Sequence, residues 1–305
     1  MDNLSLHIHE RLAENQLRYH GDAGREWLQR LPALALEITR RWQLTLEPPF
    51  TTGFVDYVTP VRCADGSPAV LKLCFVDVEF ASGAAALRAY DGRAAVRLLE
   101  ADLESGALLL ERLQPGESLS TLADVTAEMH AAAEVMRGLW QAPATDAALL
   151  RLDDWVAQAN LPSSLPEHKR AGPWIDTAFR RAAELLRESR QEVLLHGDLH
   201  FDNILSSQRG WLAIDPKGIV GDPAWELAPL LINELDAAGA DWPALVRRRI
   251  DQLIDELSLG RERAYAVACV RALQSRFWSL RDDSLPHDKI IERAYNVAEE
   301  LSRGP

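Results

Sequence analysis

The 305-residue chain has little cysteine: Cys63, Cys74 and Cys269 are an odd number, far apart, with no CxxC pair. They supply neither a disulfide framework nor a thiolate metal site, and they suit a reducing compartment such as the cytoplasm. No uninterrupted apolar run reaches the roughly 18 residues of a membrane span. Met1 to Gln16 carries charges and histidines throughout, without the apolar centre of a signal peptide. Positive charge is also scarce, with 33 Lys and Arg against 46 Asp and Glu, a formal charge of −13. Nucleic-acid binding needs clustered positive charge, so that class is excluded. An acidic surface instead tolerates, and can steer, a cationic small molecule. There is no GxGxxG after a strand and no Walker-type phosphate loop, which disfavours a Rossmann dehydrogenase and a P-loop enzyme.

What is present is a core-forming composition, 47% hydrophobic. Residues 20–43 read as helix, because Trp27, Leu31, Leu34, Ile38 and Trp42 recur at three- and four-residue steps. Pro32 predicts a break or a new first turn there, and Pro48-Pro49 an end. A β-rich stretch follows: Phe54 to Val61, a hairpin signal at Asp65-Gly66, and the apolar run Ala69 to Phe75. A helix over Ala81 to Tyr90 is closed by Asp91-Gly92, and strands follow at Val96 to Glu100 and Ala107 to Leu113. Gln114-Pro115-Gly116 is the strongest internal punctuation. Beyond it the pattern is helical at Leu122–Leu139, Thr177–Ser189, Pro223–Leu235, Pro243–Leu257, Arg261–Leu280 and Lys289–Leu301. Strands are expected there only at Glu192–Leu195, Ile204–Ser206 and Trp211–Ile214. The expected organisation is α+β: a β-rich part over 1–112, a link at 113–116 and a mostly helical part over 117–305.

The informative segment is LLHGDLHFDNILSSQRGWLAIDPKGIVGD, from Leu194 to Asp222. One apolar strand ends at Leu195 and delivers Asp198; Asn203 follows, and a second apolar strand delivers Asp215. Two carboxylates and a carboxamide at neighbouring strand ends suit phosphoryl transfer. One carboxylate orients or deprotonates a hydroxyl, and oxygen ligands hold Mg²⁺ against phosphates. Read singly, Asp198 and Asp215 are ordinary turn aspartates and Asn203 an ordinary cap; the spaced triplet is what favours chemistry. His196 reads as a packed structural histidine and His200 as local support. Lys72, alone inside AVLKLCF, lies with Val70 and Cys74 on one face of a strand, where its charge needs an anion.

This arrangement resembles the protein-kinase-like superfamily, and the HGDLH…N…IDP form resembles its aminoglycoside phosphotransferase branch. The DPKG at Asp215 to Gly218 is the form of the streptomycin and hydroxyurea kinase-like group. WL…LP near Trp27, YDG at Tyr90, LLLERL at Leu108 to Leu113 and GDPAWELA at Gly221 to Ala228 extend the likeness over most of the chain. The resemblance implies a two-lobed fold and γ-phosphoryl transfer from ATP or GTP to a hydroxyl. It implies Asp198 as base, Asn203 and Asp215 as Mg²⁺ ligands, and Lys72 on the nucleotide phosphates. Glu111 and Leu113 would meet the nucleobase through their backbone, and Thr52 and Gly53 would lie over the phosphates. The chain departs from the pattern on the helix after Lys72: where a partner glutamate is expected stands Gly83, and Glu79 is the nearest acid.

For the acceptor, Asp153, Asp154, Trp155, Asp176, Asp222, Trp225, Glu226 and the Arg276-Phe277-Trp278 segment are candidates, since carboxylates and indoles suit a hydroxylated, cationic ligand. Helix-start acids such as Asp222 and Glu226 also favour the helix dipole whatever the ligand. The expected acceptor is an aminoglycoside such as streptomycin, ahead of hydroxyurea. Metabolic kinases of choline, homoserine, a sugar or a fructosamine share the motif. A nucleotide-binding pseudokinase, suggested by the missing helix glutamate, would have no need of Asp198.

Overall fold

The computed structural model describes residues 8–48, 50, 55–154, 174–188, 191–233, 235–280 and 289–305, without the side chains of 176, 188, 236–238, 275–280 and 289–292. The expectations for Thr52, Gly53, Trp155 and the side chains of Asp176, Arg276, Phe277 and Trp278 lie outside the described residues.

Helix α1 (Glu10–Arg41) opens the chain and bends at Gly21 (φ 57°, ψ −127°). It starts earlier than its apolar spacing marks, anchored by the buried Leu12 and Gln16. Pro32 does not break it: the proline lies on the exposed side, where water can take the carbonyl its ring leaves unpaired. Leu31, Ala35 and Ile38 are fully buried against the first sheet.

That sheet contains β1 (Thr45–Leu46), β2 (Tyr57–Arg62), β3 (Pro68–Leu73), β4 (Leu98–Asp102) and β5 (Ala107–Glu111), in the order β1-β2-β3-β5-β4, with every pair antiparallel. Strand β3 alternates half-buried and buried positions. Leu71 and Leu73 face α1, while Val70, Lys72 and Cys74 face the other side, as period-two geometry requires. Helix α2 (Val78–Tyr90) follows β3, capped by Asp77 accepting from the Phe80 amide at 2.8 Å and closed by Asp91 in the left-handed region.

After a cis Gln114–Pro115 bond, β6 (Pro115–Ser118) opens the second region. There follow α3 (Val125–Leu139), β7 (Leu150–Arg151), α4 (Trp174–Glu188), β8 (Val193–Leu195), β9 (Ile204–Ser207), β10 (Gly210–Ala213), β11 (Ile219–Gly221), α5 (Ala228–Ile232), α6 (Trp242–Leu257), α7 (Arg261–Leu280) and α8 (Lys289–Ser302). Two small sheets, β10-β9-β6 and β7-β11-β8, lie among these helices. The 223–235 segment is not one helix: a 3₁₀ turn over Pro223–Leu227 precedes α5, which ends at Ile232. The largest core joins Met129 and Met136 of α3 to Leu230, Ile250, Leu273 and Val297 from the later helices, with Leu194 of β8 and Ala213 of β10 seated in it. Both strand ends that carry the motif are therefore anchored in one rigid body.

The two regions touch most closely where α2 meets residues 216–218. A Cβ at Gly83 would come within 2.5 Å of the Pro216 carbonyl oxygen. Next to it, Ser82 Oγ donates to Gly218 O at 2.5 Å and accepts from the Leu150 amide at 2.9 Å. A glutamate at 83 has no room, which is the physical reason for the departure seen in the sequence. Helix propensity alone says that Gly83→Ala should stabilise by about 1 kcal/mol. The close approach reverses the sign, and we expect a loss of about 1–3 kcal/mol from overpacking. Urea unfolding of the variant checks this, and a gain in stability would show that the contact yields freely.

Candidate active site

The loop leaving β8 is held from behind by two buried charges. Glu226, in the 3₁₀ turn before α5, accepts the His196 amide at 2.6 Å and the Gly197 amide at 2.9 Å, one on each carboxylate oxygen. Arg271 of α7 donates to Gly197 O at 3.2 Å and lies 3.9 Å from the Asp198 carboxylate. The loop's donors and its acceptor are thus both fixed to the helical core. His196 is fully buried. Its Nδ1 accepts from the Asp198 amide at 3.3 Å while Nε2 faces Ile214 O at 2.7 Å, the pattern of a neutral imidazole protonated on Nε2. Burial pushes its pKa down to about 4. It is a structural histidine, as its sequence setting suggested. Asp198 itself is 40% exposed.

Asn203 ends a short 3₁₀ turn before β9, and its Nδ2 donates to Asp198 O at 2.9 Å. That bond orients the amide and leaves Oδ1 as the atom able to ligate a cation. The β9–β10 pairing sets Ala213 opposite Ile204, and the Ile214 amide donates to Asn203 O at 2.9 Å. Asp215, next in the chain, therefore lies beside Asn203, with its backbone in the left-handed region (φ 60°). An Asn–Asp oxygen pair fits Mg²⁺, which retains waters and needs few protein ligands.

Across the cleft, Lys72 is paired with Asp215 and, at 2.9 Å, with Asp56. Burial opposes the lysine's charge, but Asp215 and Asp56 together hold its pKa well above the ordinary value. Enclosure between the lobes likewise opposes ionisation of Asp215. The charges of Lys72 and Lys217 overcome this and hold the carboxyl well below the usual range. The acid that accompanies Lys72 on its own lobe is thus Asp56 and not Glu79, which pairs instead with Lys217 at 3.3 Å. The hairpin register could have found Asp56: Val58 stands opposite Lys72, so two positions earlier the same face presents Asp56 opposite Cys74. Lys72, Glu79, Asp215 and Lys217 line one cleft.

Beside these charges lies an apolar cluster in which Val70, Leu205 and Ile214 are partly buried against Leu110, Leu113 and Leu212. Glu111, by contrast, acts as a strut. Its carboxylate takes Arg209 at 2.5 Å and the Arg97 amide at 3.2 Å, and its own amide is given to Arg97 O at 3.0 Å.

Three residues expected to bind the acceptor are buried instead. Asp222 is 3% exposed, caps the turn through the Ala224 amide at 2.9 Å and is held by Arg263 at 2.6 Å. Glu226 is 1% exposed beneath the catalytic loop. Trp225 is likewise fully buried. The exposed Asp153 and Asp154 follow β7, whose next residue, Leu152, packs on Gly221. Gly221 is opposite Val193, whereas Asp198 leaves from the Leu195 end of the same sheet. These two acids thus follow β7 past the Val193 end of that sheet.

A β-rich region beside a helical one, with a lysine paired across the cleft to an aspartate that lies beside an asparagine, defines a kinase-like protein. The sequence matches the family of aminoglycoside/hydroxyurea antibiotic resistance kinases over residues 41–283, and the chain belongs to that family. It is 42% identical to a hydroxyurea phosphotransferase of Kitasatospora aureofaciens, over 97% of this chain and 86% of the relative. It is 37% identical to a streptomycin 6-kinase of Streptomyces griseus, over 91% of this chain and 92% of the relative. Among solved structures, an amicoumacin kinase in complex with AMP-PNP and Ca²⁺ superposes with a TM-score of 0.61 at 13% identity, covering 90% of this chain and 96% of that one.

The buried Glu226–His196 pair makes opposed contributions to the pH dependence of stability. Burial raises the Glu226 pKa to about 7 from 4.5, against the pull of its two amide donors and Arg271. The folded form therefore holds a proton the unfolded form has lost, and this contribution falls as pH rises through that window. His196, lowered to about 4 from 6.5, makes stability rise with pH over its own window. Glu226→Gln removes only the falling contribution. Where the windows overlap, its stability should climb with pH more steeply than that of the wild type, by up to about 1.4 kcal/mol per pH unit. Urea midpoints measured across the overlap check this, and parallel profiles would reject the raised carboxyl.

Proposed function

We propose that the protein transfers the γ-phosphoryl group of ATP or GTP to a hydroxyl of a streptomycin-like aminoglycoside and so inactivates the antibiotic. The observation that carries this is the convergence of Asp198, Asn203 and Asp215 at two strand ends, with Asp215 paired to Lys72. Asp198, open to solvent, orients the acceptor hydroxyl and takes its proton. Asn203 Oδ1 and Asp215 would hold Mg²⁺, which would supply positive charge against the nucleotide phosphates. Lys72 exchanges Asp215 for a phosphate oxygen when nucleotide enters, remaining paired with Asp56. Val70, Leu205 and Ile214 enclose the base. With no covalent intermediate to form, the residues act by positioning and by charge.

The acidic chain favours a cationic acceptor over a neutral one. Identity of 37% to a streptomycin 6-kinase over nearly the whole chain supports the same choice. The 42% identity to a hydroxyurea phosphotransferase supports hydroxyurea as a second reading. The metabolic-kinase and pseudokinase alternatives gain no such support. The protein is proposed to act in the cytoplasm, where the nucleotide is and where Cys63, Cys74 and Cys269 stay reduced; all three are free thiols.

Mg²⁺-dependent nucleoside diphosphate release, measured with streptomycin and with hydroxyurea, distinguishes these readings. Streptomycin should stimulate release, and Asp198→Asn should lower kcat by roughly 10²–10⁴ while still binding nucleotide. Stimulation by hydroxyurea alone would transfer the assignment to the second reading. An undiminished rate in the variant would remove Asp198 from the role of base.

A further inference from the structure

Lys217 lines the cleft beside Lys72, and the mechanism above gives it no part. Its amide donates to His196 O at 2.7 Å, which fixes its backbone to the catalytic loop. Its Cβ lies 3.1 Å from where a Cβ on Gly197 would stand, so glycine at 197 lets the lysine stem pass. The ammonium lies 3.3 Å from the Glu79 carboxylate, and both side chains are partly exposed, 35% and 43%. An ion pair so open to water is weak and exchangeable. Lys217 lines one cleft with Lys72 and Asp215, and its stem passes against Gly197, the residue before Asp198. A cation therefore stands in the interval between the proposed metal side of the site and the proposed acceptor side. A phosphoryl group in transfer crosses that interval with its charge spread over three equatorial oxygens.

We propose that Lys217 is a further catalytic residue, released from Glu79 as nucleotide enters, whose ammonium contacts the transferring phosphoryl group and stabilises the transition state. This rests on the roles assigned above to Asp198 and Asp215. In the step itself, the acceptor oxygen bonds to the γ-phosphorus and the bond from that phosphorus to the bridging oxygen breaks. The nucleoside diphosphate leaves with the electron pair, the hydroxyl proton goes to Asp198, and Lys217 stays protonated throughout.

The test compares wild type with Lys217→Met, Lys217→Gln and Lys217→Arg. The measurements are kcat and KM for the streptomycin or hydroxyurea acceptor that supports turnover, and, without turnover, affinity for Mg·ADP with and without aluminium fluoride, a mimic of the phosphoryl group in flight. In the methionine and glutamine variants kcat should fall by roughly 10²–10³, ADP affinity should stay within about threefold, and the affinity gained from aluminium fluoride should shrink in step with kcat. Arginine should recover part of the loss. A kcat within about threefold of wild type, an ADP affinity that falls as far as kcat, or an intact fluoride-dependent gain would each overturn the proposal. Should the methionine variant fail to fold, the glutamine variant decides by the same comparison. Wild-type turnover that survives Asp198→Asn would instead sink the underlying reading, whatever Lys217 does.

Discussion

Glu226 ties the catalytic loop to the helical core by taking both amide hydrogens of His196 and Gly197, with Arg271 holding the Gly197 carbonyl from the same side. Everything in the site depends on this clamp. Asn203 is oriented by the Asp198 carbonyl, Lys217 by the His196 carbonyl, and Asp215 follows the Ile214 carbonyl that meets His196 Nε2. Buried charges of this kind are costly when alone and tolerable when hydrogen-bonded on all sides. Glu226 and Arg271 lie close enough that each acts on the other's ionisation. The result is a loop whose backbone has little freedom although Asp198, at its tip, stays open to solvent.

The first lobe meets this clamp through the backbone rather than through a long ion pair. With no side chain at 83, α2 lies directly on Pro216, and Ser82 bonds Gly218. A glutamate on that helix would have tied α2 to Lys72; here α2 is tied to the segment after Asp215 instead. The lysine's partner on its own lobe is Asp56, just before β2, and Glu79 pairs with Lys217.

Most of the architecture was legible in the sequence because apolar periodicity reports burial directly. The run from Ala69, the helix ending at Tyr90, and the later helices other than that expected over 223–235 fall where their spacing places them. The strands β6, β7 and β11 were not legible, being only 4, 2 and 3 residues long, too short to show alternation. The opening turns of α1 were missed because Gln16, though fully buried, is polar: its amide donates to Val55 O at 2.7 Å. In the site, Asp198, Asn203, Asp215 and Lys72 stand out because their spacing and setting are unusual for turn or strand residues. Glu226 and Asp222 misled, since an acid in the first turn of a helix looks the same whether it faces a ligand, the dipole or a buried amide. Arg271 carries no local signal at all. Its role exists only because α7 passes behind a loop far earlier in the chain.

The charge of the chain and the charge of its cleft have opposite effects on a nucleotide. A net −13 repels a polyanion at long range, but salt screens that repulsion beyond about 8 Å. Inside, Lys72, Lys217 and Arg271 set the local sign, and each is matched by an acid: Asp56 and Asp215, Glu79, and Asp198 with Glu226. Each of these three cations therefore lies within reach of an acid that offsets the cost of its burial. On the function proposed above, entry of a metal–nucleotide pair would be an exchange of partners, with carboxylate passing to metal and ammonium to phosphate, rather than the creation of new buried charge. On the same reading the acidic remainder of the surface, unhelpful to the nucleotide, would draw in an acceptor of the opposite sign.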